Sequence, residues 1–370
     1  MKKLCLAIGF CFILFSVLPV GAAEVVKIGK PGATSGGAAK TGIQEIEGSR
    51  LAVEDLNAKG GINGVKFELI VTDGKCSPLD ATYAAERMVM QDKVHVFLDA
   101  LCSSATLALF PILEREKIAM VVEESSADAV SEKKSPYVFR TCPNNSQIAG
   151  LLVNAIVQSK VKKLAFLFEQ TDWGRGGAEA LTKLVVKEGI AVESIGVDRG
   201  LSNFLPIISS MKSKNVDGVC ILMLIPQGVQ FLKQSQETGY KAQWFGFQQM
   251  MSANMYEQAG AAADGLIGHD PFRVTEAIPA SVAFAKSYRK KYEREPSHYA
   301  AHGYQSTMLI AEAVKIGGPT REGILKGLQK IKDFETVTGV INFDDHQQVI
   351  IEGRPGFVVK WWQGEKVVVK

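Results

Sequence analysis

The sequence is short of most features that announce a function. Charge of one sign is missing: 42 Lys and Arg stand against 39 Asp and Glu, a formal net charge of +3 that falls to +1 without Lys2 and Lys3. A chain so balanced offers nucleic acid or an anionic lipid surface no electrostatic footing. The densest basic stretch, KSYRKKYERE at 286–295, is interrupted by glutamates and tyrosines and reads as a solvated helix face. Long apolar runs are absent beyond the amino terminus, so no further segment could cross a bilayer as a helix. No GxSxG elbow surrounds any serine, and no HExxH motif occurs. Cysteine is scarce, with six in 370 residues and two of those in the first eleven.

The amino terminus, MKKLCLAIGFCFILFSVLPVGAAEVV, places two lysines before an apolar run that closes on Pro19 and the small residues Gly21-Ala22-Ala23. This is the pattern of a cleaved secretory signal, residues 1–23, with cleavage after Ala23. Phe10 occupies the position where a lipoprotein signal ending at Cys11 would need a small residue. A periplasmic location is therefore expected. In that oxidising compartment two cysteines that can meet are expected to be bridged. Cys76 follows the strand-like FELIVTDG and Cys102 follows VHVFLDAL. If those strands are parallel neighbours, both thiols lie at carboxyl ends and within reach of each other. Cys220, inside VDGVCILMLI, reads as a buried thiol, and Cys142 has no evident partner.

Strand and helix patterns alternate along the chain. VVKIGK, FELIVTDG, VHVFLDAL and KIAMVVEESS read as strands. Between them lie helical patterns at IQEIEGSRLAVEDLNAKGG, LDATYAAERMVMQ and SSATLALFPILERE. After PYVFRTCPNNS the rhythm restarts with QIAGLLVNAIVQS, KLAFLFEQ, GRGGAEALTKLVVKEG, AVESIGV, FLPIISSMKSK, DGVCILML, QGVQFLKQSQETG and AQWFGF. Helices are expected at 279–292, 301–316 and 321–331, before a carboxy-terminal tail that alternates like antiparallel hairpins. Short connections between alternating elements imply parallel strands with right-handed crossovers, hence an α/β fold of two doubly wound open sheets.

These residues carry a family resemblance. GATSGGAAKTG, EGSRLAVEDLNAKGGING, DGKCSP with ALCSSAT, DWGRGGAEAL and GVINFDDHQQV together resemble the type I periplasmic solute-binding proteins of the leucine/isoleucine/valine-binding family, from about residue 25 to the carboxyl terminus. The resemblance implies two lobes joined by a three-crossing hinge, with passages near Phe139–Cys142, Gly268–Phe272 and Val337–Ile341. The lobes would comprise 24–140 plus 272–337 and 141–271 plus 338–370. It also implies the Cys76–Cys102 disulfide, a small-molecule ligand in the cleft, an inner-membrane ABC permease as partner, a monomeric state, no cofactor and no chemistry performed.

The site expectations follow from chain position and resemblance together. Ser103 and Ser104 stand where a strand hands over to a helix, whose free N–H groups and dipole favour an anion. By resemblance Ser103 takes a ligand carboxylate, and Ser126, with Ser125 beside it, forms a second such position. Trp173 would cover an apolar ligand group. Gln248 stands where amino-acid-binding members carry a Glu for the ligand ammonium, and Leu224 where a Tyr hydroxyl is common. Thr41 and Tyr299 match further pocket positions. If the ligand carries an ammonium, Glu124, Glu169 or Asp172 must supply the anion that Gln248 does not, with Glu123 beside Glu124 also in place to do so. If it does not, the ligand is an amine-free carboxylate, such as an aromatic acid, or a short amide. Competing readings are weaker. PGATSGG with Asp73 lacks the GxGxxG spacing of a dinucleotide site. His298 and His302 have a zinc-compatible i, i+4 spacing but no third ligand in view. A periplasmic sensor lobe is the alternative from another functional class.

Overall fold

The computed structural model describes residues 24–352, 354 and 356–369. The expected signal segment, 1–23, lies outside the described residues. No helix among those described is long and apolar enough to cross a membrane.

The first sheet holds β1 (Val25–Lys30), β2 (Lys66–Val71), β3 (Val96–Leu98), β4 (Ala119–Val122) and β5 (Val138–Arg140) in the order β2-β1-β3-β4-β5, every pair parallel. Its central strands are apolar on both faces, as sheets covered on both sides require, and Val96, Phe97 and Leu98 are fully buried. Helices Ala39–Ala58, His298–Gly317 and Arg321–Leu328 close one face through Val53, Leu309, Val314 and Ile324. Helices Pro78–Arg87, Ser103–Ala108 and Phe110–Glu116 close the other through Ala81, Ala105 and Leu113. The single helix expected over SSATLALFPILERE is broken in two beside Pro111. A proline has no N–H to donate and its ring crowds the preceding turn.

The second sheet runs β14-β13-β10-β9-β8-β6-β7, from β6 (Lys163–Glu169), β7 (Ala191–Val197), β8 (Gly218–Leu222), β9 (Gln243–Gly246), β10 (Ile267–Asp270), β13 (Phe357–Trp362) and β14 (Glu365–Val368). The first five in chain order are parallel, and the carboxy-terminal hairpin β13–β14 adds antiparallel to β10. A small hairpin, β11 (Phe334–Thr336) with β12 (Gly339–Ile341), stands apart from both sheets. The architecture is two doubly wound α/β lobes.

Two helices of the first lobe touch backbone to backbone. A Cβ on Gly48 would stand 1.9 Å from the Ala300 carbonyl oxygen, and one on Gly303 would stand 2.1 Å from that of Glu45. This contact draws helix His298–Gly317, capped by the Ser297 hydroxyl on the Ala300 N–H, against helix Ala39–Ala58. Tyr299 thereby comes to the inter-lobe cleft and His302 to the hinge behind it.

The structure corrects two expectations of topology. β2 and β3 are not neighbours, because β1 lies between them. Cys76 and Cys102 meet through their loops instead. Lys75, Cys76 and Leu101 adopt left-handed backbone, with φ of 50°, 58° and 65°, and the disulfide closes with Cα atoms 5.2 Å apart. The third passage is not at Val337–Ile341. Ile341 and Val349 pack in the first lobe's core, Phe139 meets Phe343 edge to face at 5.6 Å, and Arg140 exchanges backbone hydrogen bonds with Gln347 and Val349. Residues 347–349 thus run beside β5, so the chain is still on the first lobe at Val349 and has joined the second lobe's sheet by Phe357. A burial pattern confined to three-residue strands does not say which lobe receives them.

Cys142 and Cys220 are buried and unpaired. Non-reducing peptide mapping should recover Cys76 with Cys102 and leave the other two as thiols. Opening a loop of 26 residues by the double change C76S/C102S should cost about 3 kcal/mol in denaturant unfolding. A map pairing Cys142 or Cys220 would refute this arrangement.

Candidate functional site

In each sheet the first strand in chain order is flanked by the second on one side and the third on the other: β2-β1-β3 in the first lobe, β7-β6-β8 in the second. Loops leave such a pair of strands in opposite directions, and the crevice at their carboxyl ends is where open α/β sheets take ligands. Here the two crevices face each other across a cavity. The first lobe contributes Leu101, Cys102, Ser103 and Ser104 beyond β3, Glu124 beyond β4, Thr41 near the start of its helix, and Tyr299. The second contributes Thr171 and Trp173 beyond β6, Arg199 beyond β7, Leu224 beyond β8, and Gln248 and Gln249 beyond β9.

Of the residues expected at the site, Thr41, Ser103, Ser104, Glu124, Trp173, Leu224, Gln248 and Tyr299 come together at this wall. Ser103 is buried, and its Oγ accepts from the Ala127 N–H at 3.1 Å, which leaves the hydroxyl proton free to be donated. Ser125 and Ser126 do not reach the cavity. The Ser125 Oγ lies 2.6 Å from the Thr106 hydroxyl and donates to the Leu101 carbonyl, whereas Ser126 donates to Asn145 Oδ1 at 3.0 Å. Both tie the loops behind the site together, because side chains of successive residues leaving a strand cannot all face one way. Asp73 likewise fastens the glycine-rich loop, accepting from the Thr34 N–H at 2.9 Å and from the Ser35 hydroxyl.

The anions separate by partner. Glu169 is buried, with Oε1 accepting from the Leu224 N–H and Oε2 from Arg199 Nε, both at 3.0 Å. Asp172 lines an outer groove and not this cavity. Glu123 turns inward to Lys30. Glu124 is the carboxylate at the wall, with Oε1 2.6 Å from His302 Nδ1. Burial raises its pKa, against the pull of His302. The amide oxygens of Gln248 and Gln249 are buried without a partner.

Arg199, Gln249, Thr171 and Leu101 escaped the sequence reading. Arg199 lies just past the carboxyl end of a strand, AVESIGVDRG, so the rule that located the serines also reaches it. It spans the cleft: Nε holds Glu169 of its own lobe, and Nη1 donates to the Cys76 carbonyl of the other at 2.9 Å. Lys40 and Glu257 add an exposed inter-lobe pair at 3.0 Å.

Beneath the first lobe's half of the site, Lys30, Glu45, Asp99 and Glu123 are all fully buried. Lys30 Nζ stands 2.7 Å from Glu45 Oε2 and 3.2 Å from Asp99 Oδ1, and it also contacts Glu123. Burial works against the ammonium, but Glu123, Glu45 and Asp99 overcome it and hold Lys30 charged. Three carboxylates around one cation cannot all ionise freely. Burial drives Glu45 well up and takes Glu123 to about 7 against the pull of Lys30. Asp99 stays low despite burial, held by Lys30 and by the Ser125 and Glu124 N–H groups. Among the described residues these three carboxylates alone are grouped closely enough to hold a metal, and Lys30 already sits among them. The rings of His298 and His302 are 6.1 Å apart, and the Nδ1 of His302 is occupied by Glu124.

A folded-state pKa above the ordinary carboxylate value means that Glu123 favours the fold below about 4.5 and loses that contribution as pH rises through about 7. The stability of Glu123→Gln relative to wild type, read from urea midpoints, should therefore improve between pH 4.5 and 7. A flat difference across that window would remove Glu123 as the titrating group.

The family described as "Periplasmic binding protein" matches residues 25–365. A leucine-, isoleucine-, valine-, threonine- and alanine-binding protein of Pseudomonas aeruginosa is 28% identical over 329 residues, which cover 88% of this chain and 87% of the relative. The substrate-binding protein of a branched-chain amino acid transporter from Streptococcus pneumoniae, solved with isoleucine, aligns with TM-score 0.85 and 26% identity over 93% of this chain and 98% of its own. A solute-binding protein of an ABC transporter from R. palustris, solved with benzoate, reaches the same TM-score at 19% identity over 94% and 96%, a likeness of fold alone.

Proposed function

The chain belongs to the periplasmic binding protein family, and from that premise we propose that it is the periplasmic substrate-binding component of an ABC importer whose ligand is an apolar α-amino acid, of branched-chain type. Glu124 at the cavity wall is the observation that carries this reading. Gln248 cannot neutralise an ammonium, but Glu124 can, and the unpartnered Gln248 and Gln249 oxygens add two acceptors. Leaving those acceptors dry and unmet would cost the closed site free energy that an ammonium restores.

The carboxylate end has its donors in the Ser103 and Ser104 hydroxyls and the N–H groups that open helix Ser103–Ala108, with Arg199 supplying positive charge on the opposite lobe. Leu101, Leu224, Trp173 and the Cys102 sulfur form the apolar wall, the usual lining for a branched alkyl group. No step of bond making is required. A ligand touching both lobes binds the closed arrangement better than the open one and so shifts the balance toward closure. The closed protein then docks on the inner-membrane permease.

A second reading rests on Gln248 and Leu224, the two positions where polarity is reduced. An amine-free carboxylate such as an aromatic acid would use the same serines and leave Glu124 to His302 alone. Leucine and its des-amino analogue 4-methylpentanoate separate the two in titration calorimetry. Leucine should bind at least tenfold tighter, and Glu124→Gln should abolish the difference. Equal or reversed affinities would favour the amine-free ligand. With whichever ligand binds, Ser103→Ala should cost about 1–3 kcal/mol of binding, the scale of a hydrogen bond to a charged group. Unchanged affinity with a large fall in melting temperature would make Ser103 a structural serine only.

A further inference from the structure

The three inter-lobe passages line a second, smaller cavity, to which Pro143, Pro271 and Ile351 contribute one from each passage. Its polar lining is His269 at the end of β10, His302 from the helix above, Thr338 and Arg354, with no carboxylate. Arg354 is half-buried. Its guanidinium reaches the Thr141 and Thr338 carbonyls at 3.5 Å and the Thr338 hydroxyl, while its Nε is shielded from solvent with no partner. No ion pair of Arg354 occurs among the described residues, and burial lowers its pKa to about 10. His269 is 2% exposed and its Nδ1 also has no partner. Burial, then His302 and Arg354, push that imidazole to about 3, so the ring is neutral.

A guanidinium shut into a cavity with two imidazoles and no counter-charge is an expensive arrangement. Surface arginines avoid it by facing water, and buried ones by pairing. The Arg354 Nε–H has neither, and the His269 Nδ1 faces the same shortage of partners. We propose that this hinge cavity is a binding site for a small monovalent anion of the size of chloride or formate, held by Arg354 with His269, while Thr338 is engaged with Gln305 and orients Arg354. The site is separate from the ligand cavity and does not depend on which solute that cavity takes. The two are joined by one contact, since Glu124 lines the first, His302 lines the second, and they are bonded to each other. Because each passage contributes to the wall, an ion held there draws the three together and stiffens the hinge in this closed arrangement.

The test uses the full mature chain without organic ligand. Its melting temperature is followed as sodium chloride replaces sodium gluconate at constant ionic strength, with sodium formate as a second probe. Both small anions should raise it saturably, as a ligand specific for the folded state does. Gluconate, a far bulkier anion than chloride or formate, should not. Arg354→Gln should lose the chloride-specific rise, and a crystal of the wild-type chain soaked in bromide should show an anomalous peak between Arg354 and His269. That peak would carry the proposal alone if the variant failed to fold. A rise that survives unchanged in Arg354→Gln, or a bromide map with nothing in the cavity, would overturn it.

Discussion

Everything at the first lobe's edge is organised around one buried ammonium. Lys30 ends β1, Asp99 follows β3, Glu123 follows β4, and Glu45 lies on the helix that β1 feeds, so four elements converge in direct contact on a single buried cation. Removing Lys30 or Asp99, the two members held charged, would strand charge in the interior, where an unpaired ion is far costlier than a paired one. The cluster thus pins the carboxyl ends of three parallel strands in one relative height. Asp99 extends that grip to the site, because its second oxygen takes the N–H groups of Glu124 and Ser125. The loop that presents Glu124 is therefore hung from the charge cluster beneath it.

Above that platform the cavity divides its charges between lobes. The acidic group comes from the first lobe and the basic one from the second, each held by a partner that sets its direction: His302 for Glu124, Glu169 for Arg199. A zwitterion meets complementary groups only when both lobes are present, which gives closure and recognition the same physical cause. The Arg199 contact with the Cys76 carbonyl fastens the second lobe to the disulfide loop that also presents Ser103. Arg199 thus both lines the cavity and bridges the lobes.

The helix pair of the first lobe supplies the remaining geometry. Gly48 and Gly303 allow two backbones to touch where any side chain would part them, and the helix so placed carries Tyr299 to one cavity and His302 to the other. Two of the three passages bring a proline, Pro143 and Pro271, to a cavity whose described lining carries no negative group.

Much of this was legible in the order of residues alone. Alternating apolar strands and amphipathic helices with short links require parallel sheets covered on both faces, and the carboxyl ends of those strands must carry any site. Serines at Ser103 and Ser104, the aromatic Trp173 and the departures at Leu224 and Gln248 are all local features of strand ends, so chain position together with the family resemblance was enough to find them. Other properties depend on groups far apart in sequence. Which of four nearby carboxylates faces the ligand was undecided until packing turned Glu123 toward Lys30, engaged Glu169 with Arg199, left Asp172 in an outer groove and brought Glu124 to the wall. Ser125 and Ser126 share the composition of a binding loop, yet their neighbours Thr106 and Asn145 claim them. The lobe that receives residues 338–349 was settled by Phe139 and Arg140, two hundred residues earlier. Periodicity and chain position act within an element, whereas charge pairing and strand adjacency act between elements, and only the folded chain brings those partners together.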